Sequence, residues 1–173
     1  APLLSSDGRA YPVATRHLDH PLPKDRRLED GVSDLILRAL GEAEGGCLVF
    51  LPGEGEIRRT AARLAGRLPG DVALHLLYGA MPFADQRAAI APAGHGRKLV
   101  LATAIAETSL TIADVRIVID AGRARRARFD PGSGMSRLVT EPVSRAEADQ
   151  RRGRAGRVAP GICYRMWTKG AEG

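Results

Sequence analysis

Short apolar runs alternate along the chain with segments whose apolar residues recur at helical spacing. The runs at 47–51, 98–102 and 115–119 are almost entirely apolar. Runs of this length and composition predict strands buried on both faces, as in a parallel sheet. Between them, apolar residues three or four positions apart predict amphipathic helices. The alternation predicts an α/β fold with three layers, a mostly parallel central sheet and helices on both faces.

The same pattern gives approximate bounds for the remaining elements. We expect the first helix to end at Gly45 and Gly46, and Pro82 to lie in the first turn of another helix. The predicted strands cover 11–18, 72–78 and 161–166, and the predicted helices cover 28–40, 57–68 and 82–90.

A β-hairpin is predicted as an insertion at about 123–140. The residues at 130–134 read Asp-Pro-Gly-Ser-Gly, a strong turn signal between two strand-like arms. Ser144 and Glu147 then have the spacing of a capping box, which predicts the start of a helix.

Composition excludes several classes of protein. The chain has 173 residues, 44% of them hydrophobic and 27% charged, which is typical of one globular domain and not of a disordered chain. Two cysteines, Cys47 and Cys163, are too few for a disulfide framework or a four-cysteine zinc site. We expect buried free thiols in a reducing compartment, with a single disulfide or a reactive thiol as the alternatives.

The sequence shows no membrane span and no signal peptide. The most hydrophobic stretch, 99–121, is interrupted by four charged residues. The chain begins with Ala-Pro-Leu and not with Met, so we expect a piece of a longer protein located in the cytoplasm.

The positive charge is concentrated in one segment. Ten arginines and four acidic residues lie between Arg123 and Arg157, so this segment accounts for the whole formal net charge of +6. An arginine-dense segment on an otherwise balanced chain indicates a site for phosphate, on a nucleotide or on a nucleic-acid backbone. The alternative is a solvated face in a protein that uses arginine in place of lysine.

The run QRRGRAGR at 150–157 concentrates this chemistry further. If the helix persists, Gln150, Arg154 and Arg157 lie within about 60° of one another on one face. Gly153 and Gly156 each cost roughly 1 kcal/mol inside a helix, which favours close approach by a ligand or by backbone. An arginine placed against a γ-phosphate accelerates its transfer by ~10³–10⁵. The alternative is an exposed arginine helix that touches phosphates without catalysis.

Several segments, in order and at matching spacing, resemble motifs of the DEAH-box helicases. ATAIAETSLTI at 102–112 resembles motif V, and 150–157 resembles motif VI. CLVFLPGEGEI at 47–57 resembles motif IV, while 77–82 and 129–135 resemble the element after motif IV and the hairpin between motifs V and VI. The resemblance covers nearly the whole chain, and LPGEGEI is most similar to the bacterial HrpB-type subgroup of ATP-dependent helicases.

The resemblance implies that residues 1–173 form the second RecA-like domain of such an enzyme. ATP and Mg²⁺ would be held mainly by a first RecA-like domain, which has the P-loop; no GxxxxGK[ST] occurs in this chain. The implied partners are that upstream domain and RNA, with DNA as an alternative, and no membrane. The full-length protein would be an ATP-dependent RNA helicase. The isolated chain would be an inactive monomer.

The resemblance also implies residue roles on the nucleotide side. Arg154 and Arg157 would reach the β- and γ-phosphates, and Gln150 would position the γ-phosphate and the attacking water. The remaining implied nucleotide contacts are Ser109 and Thr111 in motif V, with a ribose contact from Asp114.

A second implied group of residues would bind a single strand. Thr103 would donate a hydrogen bond to a backbone phosphate, while Gly53 and Gly55 would let the motif IV loop approach the strand. Arg126 belongs to the hairpin, which would lie near the duplex junction and help to part the strands.

Three positions depart from the usual family pattern. Ala104 replaces an Asn of motif V, Ala113 replaces an acid, and Ile90 falls near a Phe that packs on adenine in many relatives. An isoleucine covers a base without aromatic stacking, so we expect loose base specificity. We also expect Glu107 to orient the motif V backbone, with a role as a general base as the alternative.

Two other functions remain open at this stage. One is a non-catalytic, arginine-rich nucleic-acid-binding module. The other is a regulatory nucleotide-binding domain of an unrelated α/β ATPase.

Overall fold

A parallel sheet of six strands lies at the centre of the part of the chain that the structure, a computed structural model, describes: residues 11–108 and 110–171. The strands of the described residues are β1 (Val13–Leu18), β2 (Gly46–Phe50), β3 (Val72–Leu77), β4 (Arg97–Ala102), β5 (Val115–Asp120), β6 (Arg123–Asp130), β7 (Met135–Pro142) and β8 (Gly161–Thr168). The sheet has the order β1-β8-β5-β2-β4-β3, and each neighbouring pair is parallel. The predicted mostly parallel sheet is confirmed.

Helices cover both faces of this sheet. The helices of the described residues are α1 (Leu28–Glu42), α2 (Glu54–Leu64), α3 (Phe83–Ile90) and α4 (Arg145–Gly153). Along β2, Cys47 and Val49 pack in the apolar cluster that includes α1 and α2. Leu48 and Phe50 pack in a second cluster, with α3 and the 3-10 turn that follows α4. The alternation puts both sides of each central strand into a core, which explains the unbroken apolar runs.

The motif V segment at 103–114 crosses the second face without forming a full helix. The chain must return from the carboxyl end of β4 to the amino end of the parallel strand β5, and it does so through one 3-10 turn, Ala104–Ala106. Thr103 therefore lies at one edge of the sheet and Asp114 at the opposite edge. Asp114 has a φ of 65°, and its carbonyl accepts a hydrogen bond from Gly46 N at 2.9 Å.

The predicted hairpin is present and extends to Pro142. β6 and β7 pair antiparallel from Arg123 opposite Pro142 to Asp130 opposite Met135, and they form a sheet of their own. Val143 N donates to Gly122 O at 3.0 Å and closes the base.

Some element bounds differ from the expectations. β1 begins at Val13, α2 ends at Leu64, and Pro82 precedes α3 instead of lying in its first turn. α1 ends at Glu42, before the two glycines. Arg97 donates to Leu40 O at 2.9 Å and to Ala43 O at 2.7 Å, so a side chain 54 to 57 residues away satisfies carbonyls at that helix end.

Both cysteines are buried free thiols, as predicted. Burial raises the pKa of Cys47 and that of Cys163 to about 12, so neither is a ready nucleophile. Among the described residues, no helix is both long and apolar enough to cross a membrane.

Ile119 provides a test of this core, because it is fully buried on β5. We expect Ile119→Ala to lower the free energy of unfolding by about 2–5 kcal/mol, since it leaves a cavity. Leu138, which is 70% exposed on the hairpin, is the control. Leu138→Ala should change the free energy of unfolding by less than about 0.5 kcal/mol. Equilibrium urea unfolding measures both, and equal losses would contradict this description of the core.

Candidate functional site

A capping box starts the helix that leads into motif VI. Ser144 Oγ accepts from Glu147 N at 3.1 Å, and Glu147 Oε1 accepts from Ser144 N at 2.7 Å. The box predicted from the sequence is therefore confirmed.

The helix does not continue through motif VI. α4 ends at Gly153, and Arg154–Gly156 form a 3-10 turn, so the expected single helical face does not form. Gln150 and Arg157 are exposed, whereas Arg154 is only 7% exposed. The condition that the helix persists is therefore not met, and the end of α4 at Gly153 agrees with the cost of glycine inside a helix.

Gly156 shows the close backbone approach that the two glycines indicated. Its carbonyl accepts from Tyr11 N at 2.8 Å, and a Cβ at this position would lie 2.5 Å from Tyr11 O. Gly153, in contrast, faces open space. The second glycine of motif VI is therefore needed because the chain that leads into β1 packs directly against it.

Arg151 is fully buried and holds motifs V and VI together. Its Nε lies 2.7 Å from Glu107 Oε2, and its Nη1 lies 2.8 Å from Asp120 Oδ1. Its guanidinium also lies 4.8 Å from the centre of the Phe50 ring. Burial raises the pKa of Asp120, and the Arg151 charge opposes that shift. Neither Arg151 nor Asp120 was predicted as a site residue from the sequence, although an acidic residue at the end of an apolar strand was a usable signal.

Glu107 also fixes Arg154, through its backbone. Its carbonyl accepts from Arg154 Nε at 2.6 Å and from Arg154 Nη2 as well. The third nitrogen, Arg154 Nη1, is buried and has no hydrogen-bond partner among the described residues. The carboxylate of Glu107 is engaged by Arg151, as expected for a residue that orients motif V.

Arg154, Arg157 and Thr111 line one narrow cleft, together with apolar side chains of motif V and β5. Burial lowers the pKa of Arg154, and the neighbouring Arg157 charge lowers it further. Two guanidiniums thus lie close to each other, and one of them has a buried donor with no hydrogen-bond partner in the described part of the chain. Such a cleft favours an anion.

Of the other predicted nucleotide contacts in the described part of the chain, Gln150 and Asp114 are not among the residues that line this cleft. Asp114 is exposed, and Ile90 O accepts from Ala113 N at 3.2 Å, which brings Ile90 beside the end of motif V. Ser109 lies outside the described residues. Within the described residues, no three His, Cys, Asp or Glu side chains are grouped so that they could hold a metal ion.

The predicted strand-binding residues lie toward the carboxyl ends of the strands. Thr103 follows β4 and is partly buried, and its N donates to Leu77 O at 3.2 Å. A Cβ at Gly53 would overlap the Arg125 guanidinium, and one at Gly55 would lie 3.1 Å from Arg59 Nη1. In this structure, the space beside each glycine is therefore filled by an arginine of the protein.

Arg126 is engaged by two carboxylates. Its Nε lies 2.9 Å from Glu141 Oε1, and its Nη2 lies 2.6 Å from Glu147 Oε1. The hydrogen bond from Arg126 is the largest cause that lowers the pKa of Glu147, to about 2. Arg126 would have to leave these partners before it could contact a nucleic acid.

Comparison with known proteins identifies the family. Residues 30–159 match the model of the helicase conserved C-terminal domain. The chain belongs to this family. It is 50% identical over 170 residues to the ATP-dependent RNA helicase HrpB of Escherichia coli K12, and 37% identical over 169 residues to the HrpA homolog of Haemophilus influenzae. These alignments cover 98% of this chain but 21% and 13% of the relatives.

The fold of this helicase C-terminal domain matches a solved relative. The crystal structure of the Escherichia coli DEAH/RHA helicase HrpB superposes with a TM-score of 0.88 at 49% identity, over 94% of this chain and 21% of that one. The predicted RecA-like fold and the HrpB-type DEAH-box resemblance are both confirmed. The chain spans about a fifth of the length of this relative.

The Arg126–Glu147 pair gives this helicase C-terminal domain a specific pH dependence. The pKa of Glu147 falls from 4.5 to about 2 on folding, so its stabilising contribution is present above pH 4.5 and is lost as the pH falls toward 2. Glu147→Gln lacks this titration, and Gln retains the capping role. We expect the wild type to be more stable than Glu147→Gln at neutral pH, and the difference to shrink below pH 4.5. Urea midpoints across this range measure it; a constant difference would contradict the assignment.

Proposed function

We propose that this helicase C-terminal domain supplies half of an ATP site and a strand-binding edge to an ATP-dependent DEAH-box helicase that acts on RNA. The observation that supports this most directly is the cleft in which the buried Nη1 of Arg154, beside Arg157, has no hydrogen-bond partner among the described residues. A desolvated guanidinium with an unused donor is costly unless an anion completes it.

The two guanidiniums at the cleft suit phosphate oxygens, and in the full-length protein a nucleoside triphosphate held by the first RecA-like domain would approach them there. When bound, ATP supplies the γ-phosphate that is transferred to water. Arg154 and Arg157 stabilise the negative charge on the β- and γ-phosphates, and the Glu107 carbonyl holds Arg154 in place for that contact.

The other roles on the nucleotide side are those that the resemblance to DEAH-box helicases implies. Gln150 orients the γ-phosphate and the attacking water from the exposed side of α4. Ser109 and Thr111 contact the nucleotide from motif V, and Asp114 contacts the ribose. A first RecA-like domain of the same protein supplies the P-loop and most of the contacts to ATP and Mg²⁺.

The strand lies along the carboxyl edge of the sheet in this proposal. Thr103 donates to a backbone phosphate, Gly53 and Gly55 admit the strand to the motif IV loop, and Arg126 contributes a further contact from the hairpin. The hairpin itself stands at the duplex junction, where it parts the strands as ATP is hydrolysed. The protein acts in the cytoplasm, and residues 1–173 form one monomeric domain of it.

The pairing of the arginines counts against a simple nucleic-acid-binding module. Arg125, Arg126 and Arg128 each form an ion pair with a glutamate, and Arg151 is buried. The arginine-dense segment is therefore not one continuous free cationic surface.

The first functional prediction concerns the two arginines of the cleft. In the full-length protein, Arg154→Ala and Arg157→Ala should each lower strand-stimulated ATP turnover by ~10³ or more, because each removes charge stabilisation in the transition state. Strand affinity should change little. Arg38→Ala, an exposed arginine on α1, is the matched control and should retain turnover. A binding module without nucleotide chemistry would instead show no turnover in the wild type and weaker strand binding in both cleft variants.

The second prediction concerns residues 1–173 alone. We expect no ATP turnover and weak RNA binding that salt weakens, with each phosphate contact steepening the log–log salt dependence by roughly 0.7. Fluorescence anisotropy across a salt series and a phosphate-release assay make the two measurements. Turnover by this chain alone would overturn the assignment of the P-loop to another domain.

A further inference from the structure

We propose that Arg126 and Glu147 are positioning residues that fasten the hairpin β6–β7 to α4, so that the hairpin moves with the helix leading to Arg154 and Arg157. This inference rests on the proposed function, because its consequence is a coupling between the nucleotide cleft and the hairpin.

The hairpin lacks backbone pairing to the main sheet. β6 and β7 form a separate two-stranded sheet, joined to β5 through Gly122 and to α4 through Val143 and Ser144. An isolated two-stranded hairpin is marginally stable, and its orientation depends on what its side chains contact. The orientation of the hairpin therefore depends strongly on the side-chain ion pairs at its base.

Two consecutive arginines make those contacts on opposite sides. Side chains alternate between the faces of a strand. Arg125 donates to both carboxylate oxygens of Glu56 on α2, at 3.1 and 2.5 Å. Arg126 reaches Glu147 on α4 at 2.6 Å. The hairpin is thus held between α2, which begins in motif IV, and α4, which leads into motif VI.

The face of α4 that meets the hairpin is the face that leads to the cleft. Glu147 and Arg151 are four residues apart and so lie on one side of the helix. Arg151 Nη1 and Gly122 N share Asp120 Oδ1, at 2.8 and 2.7 Å, which ties the base of the hairpin to the same helix. Arg154 follows directly and binds the Glu107 carbonyl. The helix α4 therefore contacts the hairpin through Glu147 and its base through Arg151, and it leads at its end to the anion cleft.

Glu147→Gln is the sharpest test, because it removes the charge that Arg126 binds but keeps the capping box and the buried Arg151 pairs. Glu141→Gln is the matched control: it alters an ion pair of the same kind that stays within the hairpin and includes Arg128. The full-length protein is used for all measurements, and urea unfolding confirms that each variant folds.

Two readouts separate positioning from simple stability. We expect the strand-stimulated ATP turnover of Glu147→Gln to stay within about twofold of the wild-type rate. The number of duplexes unwound for each ATP hydrolysed, which measures coupling, should fall by roughly five- to thirtyfold. Hydrogen exchange of amides 123–142 should become faster, and exchange of α4 should not. Arg126→Gln should give the same loss of coupling, and the double variant should be no worse than either single one. Glu141→Gln should retain most of the coupling.

Three outcomes overturn the inference. The first is a Glu147→Gln protein with wild-type coupling and wild-type exchange in the hairpin. The second is additive losses in the double variant. The third is tighter strand binding with a steeper salt dependence and normal coupling, which would show that Glu147 only neutralises the charge of Arg126 and does not fasten the hairpin to α4. Failure of the proposed function has a different signature, since Arg154→Ala would then keep its ATP turnover while hairpin exchange still tests the ion pair.

Discussion

The buried guanidinium of Arg151 is the interaction on which the arrangement of this domain depends. A charge with no exposure to water must be paired, and removing one partner of such a pair typically costs about 3–5 kcal/mol. Arg151 satisfies this need with Glu107 from motif V and Asp120 at the end of β5. Three segments that are distant in sequence are thereby held in one geometry. Motif VI takes its position from this contact, and the cleft takes its position from motif VI.

Glu107 connects this structural pair to the chemistry. Its carboxylate binds Arg151 and its carbonyl binds Arg154, so a single residue of motif V fixes two arginines of motif VI by different atoms. In the proposed site, the Nη1 of Arg154, which has no hydrogen-bond partner among the described residues, is left to bind a ligand. The connection from β4 to β5 contains a short 3-10 turn and not a crossover helix. In a helix, the Glu107 carbonyl would accept a hydrogen bond within the helix and could not bind Arg154 in the same way.

The order of strands and helices and the place of the motifs could be predicted from the sequence, because apolar periodicity and motif spacing are local signals. The environment of each arginine could not. Arg151, Arg154 and Arg157 stand in one run of eight residues, yet the first is buried in ion pairs, the second is buried on a carbonyl and the third is exposed. The partners of Arg151 and Arg154 lie 28 to 47 residues away, and nothing within the run specifies them. The end of α1 was misplaced for the same reason, since Arg97 caps it from a distant strand.

The arginine-dense segment therefore has two functions that net charge does not distinguish. Six of its ten arginines donate hydrogen bonds to protein groups in the described structure: 125, 126, 128, 151, 152 and 154. These hydrogen bonds fix the positions of the hairpin, α4 and β1 relative to one another. Arg123, Arg137, Arg145 and Arg157 are exposed, and their charge is available to phosphates. Because the paired arginines of the hairpin determine where the exposed ones point, a substitution of Arg126 should affect coupling more than strand affinity, and one of Arg123, Arg137 or Arg145 should do the reverse.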